Sequence, residues 1–355
     1  MKTVKFSSPD TREHLFADAV RKNVSDYFKE KGISTKGNIS LVIQTTFLFT
    51  IYVIPFLLIH LVSMNIWIAI LMYVLMGIGT AGIGISVMHG AAHGSYSSKE
   101  WINKMFTSTM YALGGNVFYW KVQYNILHHT YTNIAEHDPD IASKGHIRLN
   151  NHAPVRKIHL YQFIHAFFFY GLMTILMVIN DFSQMATFNK KGFAMQQNRN
   201  PTMVYLKMIL IKVLYFAITI GLPIHFSPFS WWQVLIGFFI MHWTTGLILV
   251  TVFQLTHVVD GLKQPVPNAE GMIDSDWAVH ELHTTSDFAR NNIFFFWYVG
   301  GLNFQIEHHL FPHICHIHYR KIAPIVERTA KEFGLSYNLK PTFFAALKSH
   351  IQRFK

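Results

Sequence analysis

The chain has 355 residues, of which 51% are hydrophobic and only 14% charged, against about 25% charged in an ordinary soluble domain. That excludes a disordered, solvated chain, and a single cysteine, Cys315, excludes both internal disulfides and a thiolate metal cluster. The net charge of +11 comes from basic residues flanking apolar runs, without a nucleic-acid-binding motif, so anionic lipid headgroups are the expected counter-charge.

Residues 1–39 are polar and lack a signal-type apolar core, so the N-terminus is expected to remain uncleaved on the cytosolic side. Residues 41–62 then supply the roughly 20 apolar positions a helix needs to cross a bilayer, despite Gln44, Pro55 and His60. A polar break at Ser63, Met64 and Asn65 leads into a second span, 66–88, where Gly77, Gly79, Gly82 and Gly84 permit close helix packing. Spans 203–224 and 231–255, joined through His225 to Ser230, make a second hairpin. Lysine and arginine favour the cytosolic side. Neither link carries one, whereas eight lie in residues 1–39, ten from Lys99 to Arg199 and ten after Leu255. The last two, Lys207 and Lys212, are expected to snorkel from the third span to the interface. Residues 160–180 are also apolar, but a fifth crossing there would put His308 and His309 opposite the earlier histidines, so this stretch reads as an interfacial helix. Residues 112–120 and 293–302 read as shorter dipping segments. The expected fold is an all-α integral membrane protein with four transmembrane helices in two hairpins and a cytosolic helical cap holding a His-rich di-metal site. Residues 1–39 form a cytosolic N-terminal segment, 40–325 the catalytic domain and 326–355 a cytosolic tail.

Twenty-two histidines are a large excess, and neutral imidazole is among the commonest metal ligands. In HGAAH, His89 and His93 are four apart and share one helical face at the end of the second span. In YNILHHTYTN, the side chains of His128 and His129 diverge on a helix, so they serve two metals, or one metal and its outer partners. In NFQIEHHLFPHICHIHY, His308 and His309 follow Gln305 and Glu307, and five histidines fall within eleven residues. Packing alone rarely calls for that.

The order HxxxH, then HH, then QxxHH, split by two hairpins, resembles the membrane fatty acid desaturase family over about residues 40–325. That resemblance implies two iron ions at the cytosolic boundary, held by His89, His93, His128, His129, His308 and His309, with His257 at the end of the last span as a further ligand. The family's second box has a leading histidine, but Tyr124 and Asn125 fill both places where it would stand. Either Tyr124 ligates as phenolate, or His137 substitutes from the next loop, or the site binds metal weakly. His280, His283, His313 and His316, with Gln305 and Glu307, are further candidates as ligands or as partners of ligands. Asp138, Asp140, Glu281 and Glu307 can accept the second ring N–H of a ligand histidine.

Removing hydrogen from an unactivated methylene needs an oxidant made from O2 and two electrons, which redox-inert zinc cannot provide. Imidazole suits several metals, and iron is what the resemblance implies. The implied substrate is a fatty acyl chain, as acyl-CoA or acyl-lipid, with Trp120, Phe296 and Trp297 among the aromatics that can line its tunnel. Gln305 at the head of the third box is similar to front-end, linoleoyl (delta-6-type) desaturases, which insert a double bond between an existing one and the carboxyl end. The 39 N-terminal residues lack the HPGG run of a fused cytochrome b5 domain, so electrons are expected from separate ferredoxin or cytochrome b5. The competing readings are a di-iron membrane hydroxylase or ketolase, and a His-rich metal transporter or sensor. The last predicts ionisable residues along a path through the bilayer midplane, whereas the paired histidines lie at span edges.

Overall fold

The computed structural model describes residues 4–142 and 145–354, and helices dominate it. Helix α1 (Thr11–Lys31) begins at Asp10, whose carboxylate accepts the Arg12 N–H, and ends at Gly32, whose positive φ of 60° lets its N–H reach the carbonyls of Phe28 and Lys29. Its buried stripe, Phe16, Val20, Val24 and Phe28, recurs every turn.

Helices α2 (Ile39–Leu61) and α3 (Ile66–Ala92) form the first hairpin, and Asn65 opens α3 by accepting the Ile68 N–H. The lower part of α3 is α-helical, but Ile83–Met88 is wound as a π-helix before the last turn, His89–Ala92. A second π-helical stretch, Lys121–His128, follows the short helix Val117–Trp120. Helices α4 (Gln162–Lys190), α5 (Pro201–Phe226) and α6 (Trp231–His257) follow. Beyond them lie α7 (Trp277–Thr284), α8 (Gln305–Leu310), α9 (Tyr319–Glu332) and α10 (Phe343–Arg353). Two short parallel pairings tie distant segments, Lys5–Phe6 with Met272–Ile273 and Asp287–Phe288 with Leu339–Lys340.

Among the described residues, five helices are long and apolar enough to cross a membrane: α2, α3, α4 with its lead-in from Lys157, α5 and α6. Helix α4 runs ten residues past the apolar stretch read from the sequence, because Asp181, Met185 and Phe188 carry its buried face on to Lys190. Helices α3 and α4 both pack on α6 at glycines. A Cβ on Gly77 would lie 2.6 Å from the Met241 carbonyl oxygen, and one on Gly246 would lie 2.6 Å from that of Gly171, so neither crossing admits a side chain.

Lys212 does not snorkel. It is 2% exposed, with Nζ 2.6 Å from Asp181 Oδ2 on α4 and 2.5 Å from the Gly114 carbonyl oxygen. A partner inside the bundle removes the reason to reach for the interface. Lys207, by contrast, lies over the Tyr111 ring, 5.6 Å from its centre.

The two ends of α4 meet neighbouring elements. At its start, Gln162 exchanges two hydrogen bonds with the Arg148 backbone, and the Tyr170 hydroxyl is 2.8 Å from His350 on α10. His350 in turn bonds the carbonyl of Val258, the residue after α6. At its finish, Phe188 stacks on Tyr119, which hydrogen-bonds Gln123, and Gln123 donates to Asp140 at 3.0 Å. A separate core joins α1, α7, α8 and α9 through Phe16, Val20, Leu282, Ile306, Ile322 and Val326, and so clamps α8 from outside the bundle.

Candidate metal centre

Four chain segments end at one point. Helix α3 delivers His89 and His93, the second π-helix His128 and His129, α6 His257, and α8 His308 and His309. They gather into two sets. Ligating atoms of His89, His93, His129 and His308 all lie within 4.8 Å of one another, and so do those of His128, His257 and His309. Each adjacent pair therefore splits, one ring to each set, as successive side chains on a helix must. His129 Nε2 and His308 Nε2 are 3.1 Å apart. The Nε2 atoms of His89, His93 and His128 are buried without a hydrogen-bond partner, a cost that a bound cation removes. Burial holds His93 down to about 3, which keeps its ring neutral and its lone pair free near neutral pH.

Outer partners fix the rings. Both oxygens of buried Asp138 lie 3.1 Å from His128 Nδ1, and Asp138 also accepts the Asn133 and Asp140 backbone N–H groups. Burial opposes a charge on His128, but the Asp138 and Asp140 carboxylates outweigh it and lift that ring to about 9. A Glu281 oxygen is 2.8 Å from His309 Nδ1, the Thr132 hydroxyl is 3.1 Å from the same atom, and the Tyr319 hydroxyl is 3.3 Å from His308 Nδ1. Asn133 donates to the carbonyls of His257 and Thr284, pinning the end of α6. Such contacts orient ligands and raise their basicity.

Gln305 sits beside the three-histidine set, its Nε2 3.0 Å from His257 Nε2 and 3.2 Å from His309 Nε2. The Tyr124 ring stacks on Trp120 at 4.9 Å and lies 4.8 Å from His89 and 5.0 Å from His128, with its buried hydroxyl unbonded. Asn125 turns away and donates to the Ala92 carbonyl.

The other candidates lie outside both sets. His137 faces the Ala135 carbonyl, His280 the Thr132 carbonyl, and His283 approaches Lys263. His316 is held by Gln44 of α2, and exposed His313 lines a groove beside α1. Glu307 bonds Tyr337, which also bonds Asp287, and burial pushes the Glu307 carboxyl well up. Thr132, Asn133 and Tyr319 went unassigned in the sequence, although all three stand in the histidine-bearing runs.

A cavity of about 270 Å³ opens beside the histidines. Its lining includes the polar side chains of Gln123, Asp140, Asn180 and Gln184, the site residues His89, Tyr124 and His257, and Thr80, Thr245 and Leu249 from the bundle. Trp120 lines it. Phe296 instead packs on Phe304, and Trp297 on Phe47 of α2.

One family model, described as fatty acid desaturase, matches residues 41–341. The chain belongs to the fatty acid desaturase family. Its relatives include the sn-1 linoleoyl-lipid 6-desaturase of Arthrospira platensis, 34% identical over 96% of this chain and 92% of that protein. The protein of the same name from Synechocystis sp. is 32% identical over 96% of this chain and 94% of its own length. The acyl-lipid (8-3)-desaturase of Physcomitrium patens is 30% identical over 98% of this chain and 72% of that protein. As a desaturase, the protein is an oxidoreductase, and its two histidine sets could hold metal ions.

Proposed function

We propose that the protein inserts a double bond into a polyunsaturated acyl lipid, linoleoyl in the first instance, at a two-iron centre. The observation that carries this reading is the pair of histidine sets, four rings and three, beside a cavity that His89 and His257 line. The unbonded Nε2 atoms and their carboxylate-held Nδ1 partners fit divalent metal. Iron, when bound, supplies redox chemistry with O2 that zinc cannot. His89, His93, His129 and His308 hold one ion, and His128, His257 and His309 the other. Gln305 completes the second set once its amide turns its oxygen inward. Tyr124 then serves as a wall of the cavity.

The remaining work falls to the chain itself. Gln123, Asp140, Asn180 and Gln184 hold the carboxyl end of the substrate, and Ile85, Met88, Leu249 and Phe253 exclude water around the methylenes to be oxidised. Taking two hydrogens from adjacent carbons while O2 becomes two waters needs two further electrons and two protons, which a separate ferredoxin or cytochrome b5 and solvent provide. Four helices cross the membrane in this reading: α2, α3, α5 and α6. Helix α4 enters and leaves on the site side, a reading supported by its links from Tyr170 through His350 to Val258 and from Phe188 through Tyr119 and Gln123 to Asp140. The lysine and arginine distribution makes that side cytosolic. Residues 40–325 form the catalytic core, while 1–39 and 326–355 add α1 and α10 to its cytosolic cap.

Expression in a host that lacks the product, with metal analysis and mass spectrometry of the lipids, tests this reading. A loss of two hydrogens in the fed acyl chain and bound iron are expected. A gain of oxygen would replace it with hydroxylation, and metal movement across vesicles without an oxygen-dependent lipid product would sink it.

A further inference from the structure

Gln254 occupies a place where a hydrocarbon pocket has no evident use for an amide. It lies on α6 three residues before His257, and therefore on the same face and about 4.5 Å further along the helix toward Leu249 and Thr245, which line the same cavity. It is 7% exposed, and its Oε1 is buried without a partner. Among the described residues its side chain makes no hydrogen bond at either end, although its neighbours Leu249, Val250 and Phe253 line the same cavity with purely apolar surface. A buried amide left unbonded is costly. The N–H end, which donates to no described residue, can gain a partner from the substrate, whereas Oε1 cannot, because a hydrocarbon carries no donor. The only acceptor that an unsaturated hydrocarbon offers at that depth is the π density of a double bond it already carries.

We infer that Gln254 is a positioning residue that reads an existing double bond, its amide N–H directed at the π face on the methyl side of the reacting carbons. This rests on the desaturase reading above and deepens it: the enzyme selects chains already unsaturated about one helical turn below the metal centre, and sets the spacing between the old bond and the new one. An N–H···π contact of this kind corresponds to about a two- to fivefold preference.

Gln254→Leu and Gln254→Met, both apolar and of similar length, test the inference in cells fed a cis-unsaturated acyl chain together with its saturated counterpart of equal length. The share of product from the saturated chain is expected to rise about two- to fivefold over the parent, and the new bond to lose its single spacing from the old one. Comparing products within one culture cancels differences in expression, and a merely structural residue would not move bond position. Retention of both the parent's substrate ratio and its bond position in the two variants overturns the inference while leaving the desaturase reading intact, and so does loss of all product in both. A parent that makes no new double bond from either chain overturns the desaturase reading and this inference with it.

Discussion

Asp138→Asn isolates the second histidine set. The carboxylate is 2% exposed, faces His128 Nδ1 with both oxygens at 3.1 Å, and accepts the backbone N–H groups of Asn133 at 2.8 Å and Asp140 at 2.9 Å. Asparagine keeps the volume but only one acceptor oxygen, so it holds either the Asn133 N–H, taken by Oδ2, or the Asp140 N–H, taken by Oδ1, and not both. Its remaining oxygen still faces His128 Nδ1, but it is neutral, and the NH2 group opposes the same N–H from the other side. The Asp138 and Asp140 carboxylates raise His128 to about 9 against burial, so they favour positive charge on that ring. Outer partners of ligand histidines typically contribute tenfold to a hundredfold in metal affinity or activity, roughly 1.4–2.7 kcal/mol. The variant is therefore expected to bind its second ion about tenfold to a hundredfold more weakly and to retain the ion held by His89, His93, His129 and His308. Metal per chain, measured on detergent-purified protein equilibrated against a competing chelator, should fall from two toward one, with turnover falling in parallel. Parental metal content and turnover in Asp138→Asn would refute the argument that Asp138 aims His128.

Four further outcomes are expected. His308→Ala removes a ring from the four-histidine set and should abolish the new double bond in lipid profiles; product at the parental level would defeat the site. Tyr124→His places a nitrogen donor between the two sets, so iron content or turnover should rise, and no change would mean that Gln305 already completes the second set. Burial holds His350 at about 4 against 6.5 when exposed. The unfolded chain therefore binds its proton first as pH falls through 6.5, and folding stability drops between 6.5 and 4 with no further loss below. His350→Gln should remove about 2 kcal/mol of the stability lost between pH 7 and 5, and identical pH profiles of thermal unfolding in detergent would contradict this. Gly246→Ala puts a Cβ 2.6 Å from the Gly171 carbonyl oxygen and 2.7 Å from that of Tyr170, which should cost about 1–3 kcal/mol through overpacking; an unchanged Tm would show that α4 and α6 can separate freely.

Hydropathy made the long helices legible, because about 20 apolar residues leave few alternatives, and the histidine runs announced metal because few other roles call for so many paired rings. The partition of those rings was hidden. Nothing in HGAAH or QIEHH says that His89 joins His129 while His257 joins His128, since that depends on where α6 and α8 end relative to the second π-helix. Lys212 was misread because its partner Asp181 lies 31 residues away on a helix whose length the apolar pattern understated. Gln254 escaped notice for the opposite reason. A glutamine near the end of an apolar helix looks like an interfacial residue, and only the cavity around it shows an amide with nothing to bond.

The π-helical stretches Ile83–Met88 and Lys121–His128 lead directly into the first two histidine pairs. Each extra residue in a helix turns everything after it by about 100°, so these segments act as vernier adjustments that aim the rings by residue count. Deleting one residue from Ile83–Met88 would leave every histidine and every spacing within the boxes unaltered in the sequence, yet would swing His89 and His93 out of the site. For a protein of this kind, an intact set of boxes and a working centre are separate properties, and the apolar letters ahead of the first box decide whether they coincide.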